Sequence, residues 1–93
     1  MRETIILDIT PFTEKAALHG YLKERLDLPN YYGANLDALH DELSAATEPL
    51  DITLQYPANP QGKMAQYLPR LISVFQDAAR ENYNLTARFE ARE

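Results

Sequence analysis

The chain has 93 residues, 45% of them hydrophobic, no cysteine and a formal net charge of −5. A chain this short supports one domain, expected over residues 1–93, because at this size only about 60–70% of the unfolded surface is buried and two cores cannot form. The absence of cysteine excludes disulfides and thiolate chemistry, the acidic balance argues against direct nucleic-acid binding, and no stretch approaches the roughly 18 apolar residues of a membrane span.

The N-terminus Met1-Arg2-Glu3-Thr4-Ile5-Ile6 lacks a signal peptide's apolar core, so a cytoplasmic location is expected. Thr4 to Ile9 places Ile5, Leu7 and Ile9 on one face of a strand, which with its nearly continuous apolar start should be well buried. After Pro11, Thr13 is the expected N-cap of a helix whose Ala17, Leu18, Tyr21, Leu22 and Leu26 recur at helical spacing, and Pro29 is expected to end it. A turn at Tyr31-Tyr32-Gly33 follows, with Tyr31 outward and Tyr32 inward. Asn35 then caps a second helix running to about Ala46 with Leu36, Leu39 and Leu43 as its core stripe. Gly33 is expected to supply a backbone conformation that a side chain would forbid.

Pro49 closes that helix, and Leu50, Ile52, Leu54 and Tyr56 alternate with polar residues as a half-exposed strand requires. Pro57 and Pro60 force a loop. From about Met64 a stripe of Leu68, Leu71, Ile72, Phe75 and Ala79 is helical, with Pro69 either in a first turn or at the junction of a short and a longer helix. Leu85, Ala87 and Phe89 alternate in a last strand. Helical crossovers between successive strands imply parallel neighbours. The expected fold is a two-layer α/β domain with a three-stranded parallel sheet against three to four helices.

Charge is distributed unevenly over this framework. Residues 26–62 hold six carboxylates and no Lys or Arg and sum to −6, while the other eight acids and nine bases sum to +1. Taking Leu36 as zero on a helix of 100° per residue, Leu39 and Leu43 fall near about 300° and 340°, whereas Asp37 and Asp41 fall near about 100° and 140°. The two aspartates therefore point away from the core, one turn apart, with no base nearby in sequence.

A solvated polar face accounts for this without any function, and three sharper readings compete with it. Paired carboxylates can act as general acid and base, but that needs burial or pairing to separate their pKa values, which an outward helix face does not supply. Asp37, His40 and Asp41 at i, i+3 and i+4 could ligate a divalent metal, yet His40 lies toward the apolar stripe and no fourth ligand is evident. A docking surface for a cationic protein site uses every carboxylate, and Tyr31 beside it offers the rigid contact area of an interface anchor. Any basic residue on such a face would repel a cationic partner.

The segment Leu28-Pro29-Asn30-Tyr31-Tyr32-Gly33-Ala34-Asn35-Leu36-Asp37-Ala38-Leu39 closely resembles the central segment of the barstar family, intracellular inhibitors of barnase-type ribonucleases. The similarity continues more weakly through Asp41 and Leu43, the strand from Pro49 to Leu54, and Val74-Phe75-Gln76-Asp77-Ala78-Ala79. It implies a non-enzymatic, cofactor-free protein whose helix and preceding loop plug the cleft of a basic, guanyl-specific, extracellular-type ribonuclease in a 1:1 complex. On matching positions the main contacts are Tyr31, Asp37, Asp41, Ser44 and Asp77, with Gly33, Asn35, Leu36 and His40 shaping the same surface. Asp41 would stand where a substrate phosphate binds.

Several positions depart from the family pattern. His40 replaces a tryptophan, Glu42 a cysteine and Ser44 a threonine, and Ala45-Ala46 stand where a Gly-Trp pair is usual, so the aromatic rim is thinner. Asp77 is a methylene shorter than the glutamate expected there. The alternatives are an immunity protein for a nuclease toxin domain, a regulatory barstar-like protein with a basic partner that is not a nuclease, and a carboxylate or metal-dependent hydrolase built on the same helix. The free protein is expected to be a monomer.

Overall fold

The computed structural model describes residues 3–93, and six elements follow in the order β1 (Glu3–Asp8), α1 (Lys15–Arg25), α2 (Leu36–Ser44), β2 (Leu50–Pro57), α3 (Lys63–Glu81) and β3 (Leu85–Arg92). Met1 and Arg2, on which the 1–93 boundary and the reading of the N-terminus partly fall, lie outside the described residues. The strands pair in the spatial order β1-β2-β3, both pairs parallel. Their register aligns Ile5 with Ile52 and Ala87, and Leu7 with Leu54 and Phe89. Since successive side chains alternate across a strand, this register collects the apolar residues of all three strands on one face, apart from Ile6, which faces the other way beside Thr53.

The helices cover that face. Leu7, Ile9, Ile52, Leu54 and Leu85 from the sheet side meet Leu18 and Leu22 of α1, Leu39 and Leu43 of α2, and Leu68, Leu71 and Phe75 of α3 in one core. The opposite face carries Thr4, Asp51, Thr53, Thr86 and Arg88 and is open to solvent. The result is the expected two-layer α/β arrangement, with three helices. Full burial of a leucine stabilises by about 1.5–3 kcal/mol. Leu39 and Leu43 therefore fix which side of α2 faces inward, and so which side is left for the carboxylates.

Six local expectations are corrected. The first strand begins one residue earlier and lies at a sheet edge, with Glu3, Thr4, Ile6 and Asp8 exposed, so it is half-buried rather than well buried. The N-cap of α1 is Glu14, without a side-chain cap bond, and not Thr13. Ala17 on that helix is exposed, while His19 is buried. The same helix ends at Arg25, before Pro29 can act: Asp27 adopts φ 52°, its N–H donates to the Glu24 carbonyl, and the Leu28 N–H donates to the Lys23 carbonyl. These two bonds close a Schellman motif and satisfy carbonyls the helix would otherwise leave open.

The fifth correction concerns Pro69, which interrupts nothing, since α3 is one helix of 19 residues with the proline inside it. Pro69 and Ala65, whose carbonyl loses its helical donor, are both exposed. Water can take the open carbonyl while Leu68, Leu71 and Phe75 hold the inner face. Ala78, not Ala79, is the buried alanine of that helix, and Tyr67 joins its buried side.

Candidate functional site

The surface is built around the start of α2. Asn35 is extended (φ −142°, ψ 172°), and its side-chain oxygen accepts from the Ala38 N–H at 2.8 Å, satisfying one of the helix's open donors. Its amide nitrogen donates back to the Gly33 carbonyl at 3.2 Å, so one side chain both starts the helix and holds the loop before it. The positive-φ residue here is Ala34 (φ 53°), not Gly33, which corrects the conformational role expected of the glycine. Space is the reason instead: a Cβ on Gly33 would lie 3.1 Å from the Asn35 amide nitrogen and 3.3 Å from the Ala38 Cβ.

The two tyrosines part as expected. Tyr31 is 82% exposed, whereas Tyr32 is buried and its hydroxyl lies 2.6 Å from His19 Nδ1. The other imidazole nitrogen, Nε2, lies 2.6 Å from the Tyr67 hydroxyl. A neutral imidazole has one N–H and one lone pair, so it donates to one tyrosine and accepts from the other. Burial, aided by the Lys15 charge, holds the His19 pKa below its usual value and favours this neutral ring. Burial, with Tyr67 and Glu42 nearby, pushes the Tyr32 phenol far above the ordinary tyrosine range. Sequence periodicity missed His19, because its two partners lie 13 and 48 residues away.

Along α2 the structure separates inward from outward positions. Leu36 is half-buried, Leu39 and Leu43 are buried, and Asp37 and Asp41 are exposed. The Asp41 side chain retains 84% of its accessible surface, and among the described residues no Lys or Arg nitrogen lies within 4 Å of it; its near neighbour is His40 Nδ1 at 3.9 Å. The far end of the helix is held by a residue the sequence did not flag. The side-chain amide of the buried Asn82 donates to the carbonyls of Leu43 at 3.1 Å, Ser44 at 3.2 Å and Ala46 at 2.9 Å. Two of these carbonyls belong to the last turn of α2, where a helix lacks its own donors, and the third lies just beyond it; α2 ends at Ser44, short of the expected Ala46.

Helix α3 carries two carboxylates, Asp77 and Glu81. Asp77, half-exposed, pairs with Arg80 at 2.6 Å. Glu81 instead reaches α2: its Oε2 accepts from His40 Nε2 at 2.7 Å and from Ser44 Oγ at 3.4 Å. Glu81 was absent from the sequence-derived site because only the packing of α3 on α2 brings it there. Ser44, His40 and Glu81 do not form a nucleophile relay, because the serine oxygen (3.5 Å) and the carboxylate address the same imidazole nitrogen. A relay needs them on opposite nitrogens. Among the described residues no group of three or more His, Asp or Glu side chains could hold a metal ion, and no helix is long and apolar enough to cross a membrane.

The surface combines exposed carboxylates on a helix anchored from inside, an exposed tyrosine at its start, and a histidine–serine–glutamate cluster at its end. Fold and surface together define a small parallel α/β domain whose second helix carries Asp37 and Asp41 exposed. The chain matches the family model described as Barstar (barnase inhibitor) over residues 2–91. It is 37% identical over 78 residues to the "Putative ribonuclease inhibitor YrdF" of Bacillus subtilis (strain 168), an alignment that spans 83% of this chain and 86% of that protein. The chain belongs to the barstar family.

Proposed function

We propose that this protein is an inhibitor of a basic, guanyl-specific ribonuclease of the barnase type, and that it acts by seating α2 and the Tyr31 loop in the enzyme's active-site cleft. The observation that carries the reading is Asp41. It is exposed, without a Lys or Arg partner among the described residues, and set on a helix locked by Leu39, Leu43 and the caps at both ends. A carboxylate held this way can form charge-assisted hydrogen bonds with the Arg and His side chains of a phosphate site without first breaking an internal ion pair. Asp37 extends the charge by one turn, Tyr31 supplies the aromatic contact, and Ser44 closes the far end. Gly33, Asn35 and Leu36 set the loop and first turn, and His40, itself held by Glu81, borders Asp41.

On this reading the protein is a cytoplasmic, non-enzymatic monomer that needs no cofactor and forms a 1:1 complex. Family membership and the name of the B. subtilis relative support the inhibitor class. The exposure of the carboxylates supports docking over acid–base chemistry. Titration of barnase activity on an RNA substrate is the test: inhibition should be complete at one equivalent, whereas residual full activity at excess protein would refute it.

A further inference from the structure

Three cations gather beside the acidic surface and take no part in it. Lys15 opens α1, and Lys63 and Arg70 lie two turns apart on α3, on the same helix side as Gln66 and Tyr67. Folding brings them together: the Lys15 ammonium sits 4.7 Å over the Tyr67 ring, and Lys15, Lys63, Tyr67 and Arg70 line one open cleft of about 210 Å³. Lys15, Tyr67 and Arg70 also line an adjoining cleft of about 290 Å³, whose remaining lining is residues 34–37 at the start of α2.

The chain holds 14 Asp and Glu against 9 Lys and Arg, so carboxylates are in excess. Nevertheless, among the described residues none of these three cations has a carboxylate oxygen within 4 Å. Like charges gathered without counter-charges repel one another, and the field is felt locally. Lys15 contributes to the lowered pKa of His19, and the Arg70 charge opposes the upward push of burial on Tyr67. The one carboxylate in the two linings belongs to Asp37.

That placement has a consequence for docking. The proposed function sets a cationic group of the ribonuclease on Asp37. Once that carboxylate is engaged, nothing in the lining tempers Lys15 and Arg70, and a partner basic throughout would be repelled at this edge of its footprint. We infer that the ribonuclease partner is bipolar: beside its cationic cleft it presents an Asp or Glu side chain that enters the Lys15–Lys63–Arg70 cleft and pairs there. This rests on the inhibitor reading above. An enzyme carboxylate is favoured over an RNA phosphate because this cleft shares Lys15, Tyr67 and Arg70 with the adjoining one, which residues 34–37 of the docking face line, so an enzyme seated on that face reaches the edge of the cations.

The test uses barnase as the partner and a zero-length carbodiimide, which couples a lysine ammonium to a carboxyl group in contact with it. In the complex, Lys15 or Lys63 should be recovered in an amide with a barnase Asp or Glu. The Lys15→Glu, Arg70→Glu double variant should bind at least tenfold more weakly. Arg70→Glu alone, which spares the packing of Lys15 on Tyr67, should shift affinity in the same direction with an unchanged melting temperature. The inference is overturned if wild-type protein binds but no such coupling forms, or if charge reversal leaves affinity unchanged or raises it. It is likewise overturned if the free protein binds a 5′-phosphorylated oligonucleotide through these residues and charge reversal abolishes only that binding. Failure of wild-type protein to bind barnase would instead strike the inhibitor reading, and this inference with it.

Discussion

Tyr32 and His19 share a 2.6 Å hydrogen bond that ties the loop ahead of α2 to the middle of α1. With Tyr67 at the other nitrogen, one buried neutral ring joins the loop, α1 and α3. The folded-state pKa of His19 is depressed by burial first and by Lys15 second, whereas an unfolded histidine titrates near about 6.5. Below that pH the unfolded chain binds the proton that the folded one refuses, so stability is full above about pH 6.5 and is lost as pH falls toward the folded value. Melting temperatures should be level from pH 8 to 7 and decline as pH falls below about 6.5. The decline should be absent in His19→Gln, measured by calorimetry against that variant's own pH 7.5 value.

Removing the Tyr32 hydroxyl leaves a buried imidazole nitrogen without its partner, which costs about 1–3 kcal/mol. Tyr32→Phe should therefore lower stability by that amount in urea unfolding, with the slope against denaturant unchanged. Because the loop loses its tether to His19, binding to the ribonuclease should weaken as well.

Asn82 holds the last carbonyls of α2 from the residue just beyond α3. Asn82→Ala should cost about 1–3 kcal/mol of stability, since buried acceptors lose their donor. Hydrogen exchange should quicken in the last turn of α2, around Leu43 and Ser44, more than in β2.

The two carboxylates of α3 start from different states. Asp77 is already paired with Arg80, whereas Glu81 lies in the cluster with His40 and Ser44 on the α2 side. Arg80→Ala should raise affinity for the ribonuclease a few-fold by freeing Asp77 and removing a like charge. Asp77→Ala should change affinity less than Glu81→Ala, and the comparison is made by isothermal titration of all three variants. The Debye length at 0.1 M salt is about 10 Å, so the association rate of wild-type protein should fall steeply as salt is raised, as stopped-flow fluorescence can show.

Much of this was legible in the sequence for identifiable reasons. Alternation in Leu50–Tyr56 and Leu85–Phe89 placed two strands, the spacing of Leu36, Leu39 and Leu43 oriented α2, and Asn35 marked the start of that helix. Each of these signals is local, carried within one or two turns or strand repeats. The features of the site that were not legible depend on residues distant in the chain. His19 acquires its role only when Tyr32 and Tyr67 close on it, and Glu81 only when α3 packs on α2. Charge behaved the same way: residues 26–62 carry no base, yet folding brings Lys15 and Arg70 to the edge of the Asp37 face. Pro69 misled for the opposite reason, since its local penalty was outweighed by the buried face of α3.

The central claim is that α2 recognises a cationic ribonuclease cleft through Asp41, and its most direct test is the affinity of Asp41→Ala for barnase beside its unfolding free energy. The side chain is exposed and contributes nothing to the core, so unfolding should stay within about 0.5 kcal/mol of wild type. The account predicts a loss of binding above about 2 kcal/mol, the scale of an interface hot spot, or roughly thirtyfold in Kd. An Asp41→Ala variant that inhibits as tightly as wild type would contradict it.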